Sequence, residues 1–178
     1  RKISESAGQS SASSVCRRTA RMTILVYRNG VMAADSGCWQ GDGFTSWSVK
    51  IARGRGGVWG LCGSAAASES FLDWVRGEGD EMPMPKQVGD RDSSFAALCV
   101  MKASPGMISI LCYDGFERFR DAPYLAMGAA SPCALGALYC GASAVEAVRA
   151  CIAHGPNAVG PARSVQLDDP EGRIEVHA

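Results

Sequence analysis

The stretch Thr23-Ile-Leu-Val-Tyr-Arg-Asn-Gly-Val-Met-Ala-Ala-Asp35 decides the fold. Two apolar runs, Thr23 to Tyr27 and Val31 to Ala34, flank Asn29-Gly30, residues that accept the positive φ of a tight hairpin turn. The turn returns Asp35 to the neighbourhood of Thr23. A two-residue loop pairs Asp35 with Ile24 and leaves Thr23 on the other face of the ribbon; a three-residue loop with a glycine bulge pairs Asp35 with Thr23 itself. In the two-residue register, only a bulge or a frayed strand end brings the threonine toward the carboxylate.

Outward from the hairpin, strands are predicted at about Trp47 to Ala52 and over Val58 to Cys62, the second breaking at Gly63 into a helix from Ser64 to Arg76. In that helix Ser68, Phe71, Leu72 and Val75 keep helical spacing, and Gly77 stops it. Glu78 to Ser94, with Met82-Pro-Met-Pro85 inside it, reads as a surface loop. Three strands follow, Phe95 to Lys102, Met107 to Tyr113 and roughly Phe116 to Arg120, joined by turns at Pro105-Gly106 and Asp114-Gly115. A last strand, Tyr124 to Met127, leads into helices at Pro132 to Tyr139 and Ala144 to Ala153. Ser143 and Glu146 form a capping box for the second of these. This alternation of strand and helix blocks implies an α+β fold, two antiparallel sheets stacked between helix layers.

Composition is that of one domain. The chain has 178 residues, 47% of them hydrophobic, enough for one good core, and no apolar run approaches the ~20 residues that a membrane span requires. Eighteen basic and eighteen acidic residues cancel, so nothing draws the chain to nucleic acid or to an anionic membrane. The eight cysteines sit mostly inside apolar strand or helix runs, where cysteine behaves as a small buried hydrophobe. No CxxC pair or His/Cys cluster suggests a metal, and no cofactor is expected. With no signal-peptide core visible, a reducing cytoplasm is the expected location.

Arg1 to Arg21 differ in kind. Ser6-Ala-Gly-Gln-Ser-Ser-Ala-Ser-Ser14 is small, polar and aperiodic, so residues 1–21 read as a disordered extension or propeptide ahead of a domain over 22–178. The chain opens on arginine. If Met22 is the natural start, methionine removal exposes Thr23 as the N-terminal residue; if Arg1 to Met22 is a propeptide, self-cleavage does so.

Thr-Ile-Leu-Val, then Gly-Val-Met-Ala-Ala-Asp-Ser, then Val-Lys-Ile and Gly-Leu-Cys-Gly-Ser, resembles the start of proteasome β-subunits and of the bacterial proteasome-like peptidase HslV. Later, Tyr124-Leu-Ala-Met-Gly-Ala-Ala-Ser-Pro-Cys-Ala-Leu-Gly-Ala-Leu and Gly141-Ala-Ser-Ala-Val-Glu-Ala-Val-Arg look like that family's last core strand and following helices. The resemblance runs from Met22 to Leu167 in family order. It implies the four-layer αββα fold of the N-terminal nucleophile (Ntn) hydrolases and a threonine peptidase working inside a ring of like subunits. Peptides or unfolded protein would be the substrate, with an ATP-driven unfoldase as partner. Residue by residue, it makes Thr23 the nucleophile and the α-amino group of Thr23 the base. Lys50 becomes the ammonium that tunes that amine, Asp35 the anchor of Lys50, and Gly63 the oxyanion donor.

Each residue also has a plainer use. Thr23 suits a strand start, Asp35 a turn, Lys50 a solvated strand end and Gly63 the start of a helix. Lysine is scarce, with only Lys2, Lys50, Lys86 and Lys102, and the two histidines, His154 on a helix end and His177 on a tail, argue against a His-based triad. Cys38, just after the aspartate of the hairpin, reads as a reactive thiol or, more plainly, as a buried or loop one. The chain departs from the family in three places. Met22 stands where the family's nucleophilic threonine is, Ala129 replaces a small hydroxyl residue, and Asn157 replaces an aspartate. Two other readings therefore stand beside the peptidase: a catalytically inactive shell subunit, and an amidase of the same fold acting on a small molecule.

Overall fold

The hairpin closes in the two-residue register. Leu25 pairs with Ala34 and Arg28 with Val31, across a turn in which Asn29 and Gly30 have φ of 50° and 80°. Both values lie in the left-handed region that Asn and Gly tolerate best, and the turn's twist matches that of the strands it joins. The structure, a computed structural model, describes residues 23–40, 43–88, 92–155 and 157–178. The expected extension or propeptide over residues 1–21, and Met22, lie outside the described residues.

In chain order the elements begin with β1 (Ile24–Arg28), β2 (Val31–Ala34), β3 (Gly37–Gln40), β4 (Gly43–Trp47), β5 (Ile51–Gly54), β6 (Gly57–Gly63) and α1 (Ala65–Arg76). They continue with β7 (Gln87–Val88), β8 (Asp92–Ser93), β9 (Phe95–Met101), β10 (Met107–Cys112), β11 (Gly115–Arg120) and β12 (Tyr124–Gly128). Helices α2 (Ser131–Tyr139) and α3 (Ala144–His154) and strands β13 (Ala162–Gln166) and β14 (Glu175–His177) complete the chain. One five-stranded sheet runs β12-β1-β2-β13-β14 and a second runs β11-β10-β9-β6-β5, every pairing in both being antiparallel.

Side-chain alternation stacks these sheets. From the first, Leu25, Tyr27 and Met32 point into the gap between the sheets and meet Ile51, Leu98 and Ile108 of the second. The alternate residues Ile24, Val26 and Ala33 point the other way, against Ala134, Leu138 and Val148 of α2 and α3. On the far side of the second sheet, Trp59, Leu61 and Phe95 pack on Phe71, Leu72 and Val75 of α1. The order is helices, sheet, sheet, helix: the four-layer αββα sandwich. Strands buried on both faces carry no polar alternation, which is why β1, β6 and β9 read as continuous apolar runs. Each large side chain so buried contributes about 1.5–3 kcal/mol.

Four details differ from the expectation. The strand predicted from Trp47 to Ala52 is two strands. β4 ends at Trp47, the Ser48 N–H bonds the Ser36 carbonyl at 2.8 Å, and the chain then crosses into the second sheet to start β5 at Ile51. Second, β3 and β4 form a hairpin of their own, outside both large sheets. Third, the loop expected over Glu78 to Ser94 holds the short β7–β8 ladder. Fourth, β13 and β14 extend the first sheet, so His177 sits in a strand rather than on a tail.

Of the seven cysteines among the described residues, Cys62, Cys99, Cys112 and Cys151 are buried and Cys140 is exposed. Burial pushes the Cys99 and Cys151 thiols up to about 12, so both stay neutral members of the core. Among the described residues no helix is long and apolar enough to cross a membrane.

Candidate active site

Asp35 follows the last residue of β2, opposite Ile24 at the start of β1. In a regular antiparallel pair at this position each residue would give one N–H and accept one. The Asp35 N–H does reach the Ile24 carbonyl, at 3.2 Å, but the Ile24 N–H turns to the Asp35 carboxylate instead, with Oδ1 at 3.0 Å. The side chain thus takes the place of its own backbone carbonyl at the end of the ladder. Its other oxygen, Oδ2, accepts from the N–H of Gly37 at 3.3 Å and of Val159 at 3.4 Å. Asp35 is fully buried.

Lys50 comes to this carboxylate from the crossing between β4 and β5. Its Nζ lies 2.7 Å from Asp35 Oδ1 and 3.0 Å from Thr23 Oγ1, with the side chain 8% exposed. A solvated strand-end lysine is therefore not what the fold makes of this residue. Burial pulls the Lys50 ammonium below its ordinary value of 10.5, and the Asp35 carboxylate opposes that fall by favouring the charged form.

Thr23 stands one residue outside the regular ladder of β1, which begins at Ile24. The two-residue register alone would leave Thr23 on the face away from Asp35. The irregular strand end and the reach of Lys50 bridge that gap, so one ammonium touches both side chains. The close packing behind Thr23 rests on Gly128, the partner of Ile24 in β12. Gly128 has φ of 125°, and a Cβ there would stand 2.0 Å from the Thr23 carbonyl oxygen. Only glycine admits both the conformation and the approach. Ala129 follows it directly, and Asn157 lies two residues before Val159, in the segment that docks on Asp35 and Ser36 through Val159 and Pro161.

Gly63 ends β6, and Ser64 after it is the N-cap of α1. Thr23, Lys50 and Gly63 line one cleft of about 450 Å³, together with Cys38, Trp47 and one stripe of α1. All four residues singled out in the sequence are thus in one neighbourhood: Thr23, Asp35 and Lys50 by direct contact, Gly63 across the cleft. Sequence reasoning missed Gly128, the backbone of Val159, and the cleft wall made by Trp47 and α1. The Gly-Ala-Ala after the last core strand was a visible signal for the first; the other two had none. Among the described residues no cluster of His, Cys, Asp or Glu is arranged to hold a metal ion.

No family model matches the chain, and no curated protein matches it. Solved structures do. The Thiobacillus denitrificans protein BPH in complex with epoxomicin superposes with a TM-score of 0.58 at 20% identity, over 83% of this chain and all of that one. A second structure of Thiobacillus denitrificans BPH gives a TM-score of 0.56 at 18% identity, covering 88% of this chain and 98% of its own. At such identity the likeness is one of fold, and it agrees with the αββα sandwich described above.

The buried pair yields a stability test. Removing the carboxylate leaves an ammonium and three backbone N–H groups without their partner, so Asp35→Ala should cost about 3–5 kcal/mol in denaturant unfolding. Adding Lys50→Met should recover part of that loss. A cost below about 1 kcal/mol would mean that the pair does not organise the site.

Proposed function

We propose that this chain is a hydrolase of the N-terminal-nucleophile type that cleaves peptide bonds through Thr23. The observation that carries the reading is the single ammonium, Lys50 Nζ, within 3.0 Å of a threonine hydroxyl and 2.7 Å of a buried aspartate at one end of an αββα sandwich. A threonine hydroxyl needs a base to become a nucleophile, and the base nearest to hand is an α-amino group on Thr23 itself. Its reference pKa of about 7.7–8.0 suits it to take a proton near neutral pH. The neighbouring Lys50 ammonium disfavours a second positive charge and so keeps that amine free.

In the proposed reaction Oγ1 attacks the carbonyl carbon while its proton passes to the amine. The oxyanion meets the backbone N–H of Gly63 and the positive end of α1. Collapse expels the amine product, which takes the stored proton and leaves an ester on Thr23. Water, deprotonated by the same amine, then attacks the ester; the acyl C–Oγ1 bond breaks, the acid leaves, and Oγ1 takes the proton back from the amine. This route requires Thr23 to carry a free amine, because an amide to Met22 has no basicity. The epoxomicin complex of the structurally similar BPH supports the reading by analogy of fold.

A chain beginning at Thr23 should accordingly form a covalent adduct with a peptide epoxyketone or vinyl sulfone, while forms retaining Met22 or carrying Thr23→Ala should not. Loss of the nucleophile from a unit that acts together lowers turnover by several thousandfold or more, so intact-mass spectrometry of the three forms gives an unambiguous contrast. Labelling of Thr23→Ala would move the chemistry to another residue; no labelling in any form would favour the inactive shell.

The same proposal includes the assembly. A ring of subunits would enclose the cleft, admit unfolded chains delivered by an ATP-driven unfoldase and work in the cytoplasm. The exposed Leu135 and Tyr139 on α2 offer apolar surface for contacts between copies. Light scattering of the purified chain at micromolar concentration should report a closed oligomer, and a strict monomer would remove the chamber from the account.

A further inference from the structure

The helix layer behind the first sheet holds two thiols that the proposed reaction does not use. Cys133 lies in the first turn of α2 and Cys151 near the end of α3. The two helices pack on each other and on the sheet largely through small residues, among them Ala134, Ala144 and Ala147. Side chains this short let the helix backbones approach closely, and only then can two cysteines on facing helices meet. They do meet here: the Cys151 side chain hydrogen-bonds that of Cys133, and its Sγ also donates to the Ala130 carbonyl at 3.5 Å. Each sulfur is one bond from its Cβ, so thiols in contact also bring the two Cβ atoms near the separation that a disulfide needs.

The pair is unequal in a useful way. Cys133 is half-buried, within reach of a small solute, whereas Cys151 is fully buried. Burial pushes the Cys151 thiol up to about 12, so it stays protonated and the first attack falls to Cys133. An accessible thiol with a second thiol held against it is the arrangement in which oxidation ends at a disulfide instead of running on to higher acids.

The geometry points to Cys133 and Cys151 as a reversible modification site, closed to a disulfide by a hydroperoxide such as hydrogen peroxide. In the first step the Cys133 sulfur attacks one peroxide oxygen. The S–O bond forms as the O–O bond breaks, and the departing hydroxide leaves as water with the Cys133 proton. In the second, the Cys151 sulfur attacks the Cys133 sulfenic acid. The S–S bond forms as the S–O bond breaks, and the hydroxide released takes the Cys151 proton and leaves as a second water. Two thiols are oxidised and one peroxide is reduced; a dithiol reductant reverses the change. Closure ties α2 to α3 and takes the S–H donor from Ala130, whose carbonyl keeps the Ala134 N–H at 3.2 Å. Ala130 lies two residues beyond Gly128, so the modification reaches the turn that backs Thr23. The inference stands on the thiol contact alone and does not depend on the hydrolase reading.

The test treats the full chain carrying Cys140→Ser, a change at an exposed position, with a small excess of hydrogen peroxide. Trypsin cuts after Arg120, Arg149 and Arg163, so in this background Cys133 and Cys151 fall in separate peptides with no other thiol in either. Mass spectrometry without reduction should find those two peptides joined with the loss of two hydrogen atoms, and dithiothreitol should part them. Cys133→Ser and Cys151→Ala should each abolish the joined species. Because the link closes a short loop between packed helices, the oxidised protein should melt roughly 6–12 °C above the reduced one. Cys133 driven to sulfinic acid while Cys151 stays a thiol, or Cys133 joined only to another cysteine, would overturn the assignment. A joined species whose melting point does not rise would overturn the tie between α2 and α3.

Discussion

Everything at the candidate site depends on one buried ammonium. Removing a lysine head group from water costs several kcal/mol, and the fold recovers that only because Asp35 meets it at 2.7 Å. Asp35 is a strong partner because its two oxygens are already fixed by the N–H groups of Ile24, Gly37 and Val159. A carboxylate held by three backbone donors cannot swing away to solvent, so Lys50 is held in turn. Its remaining reach ends on the Thr23 hydroxyl at 3.0 Å. The geometry of the threonine is thus set by a chain of contacts beginning at the end of β2.

Those contacts join parts of the molecule that the topology keeps separate. Thr23 and Asp35 belong to the first sheet, Lys50 precedes the first strand of the second, and Val159 lies in the segment before β13. The ion pair therefore pins one edge of the sandwich where both sheets and the β3–β4 hairpin converge. Gly128 completes the arrangement from the other side of β1, since any side chain there would collide with the backbone of Thr23. The polar groups of the site are held in place by the same contacts that bury them.

Much of this was legible in the sequence, for a local reason. Asn29-Gly30 between two apolar runs fixes a hairpin, and the hairpin brings Asp35 to the start of the chain's first strand whichever register is used. The order of strand and helix blocks gave the α+β sandwich. The loop length left two registers open, and the structure takes the one that the side-chain alternation of a regular strand would have judged the poorer for Thr23. What reconciles it, a carboxylate replacing a backbone carbonyl at the ladder's end, has no local signature. Strands β13 and β14 escaped notice because they are short, carry Arg163, Gln166 and Glu175 among few apolar residues, and are stabilised by partners far away in the chain. The crossing at Ser48 to Lys50 was hidden for a similar reason, since the hydrogen bond that turns the chain runs from the Ser48 N–H to the distant Ser36 carbonyl. The cleft wall of Trp47 and α1 is likewise a tertiary product.

The most direct measurement is the titration of Lys50 itself, by nitrogen-15 NMR of its Nζ in the folded protein. Burial without full compensation predicts a midpoint below the ordinary lysine value of 10.5, and a further fall when Asp35→Asn removes the opposing carboxylate. A midpoint at the ordinary 10.5 that is indifferent to Asp35→Asn would mean that Lys50 is solvated and uncoupled from Asp35, and would contradict the account at its base.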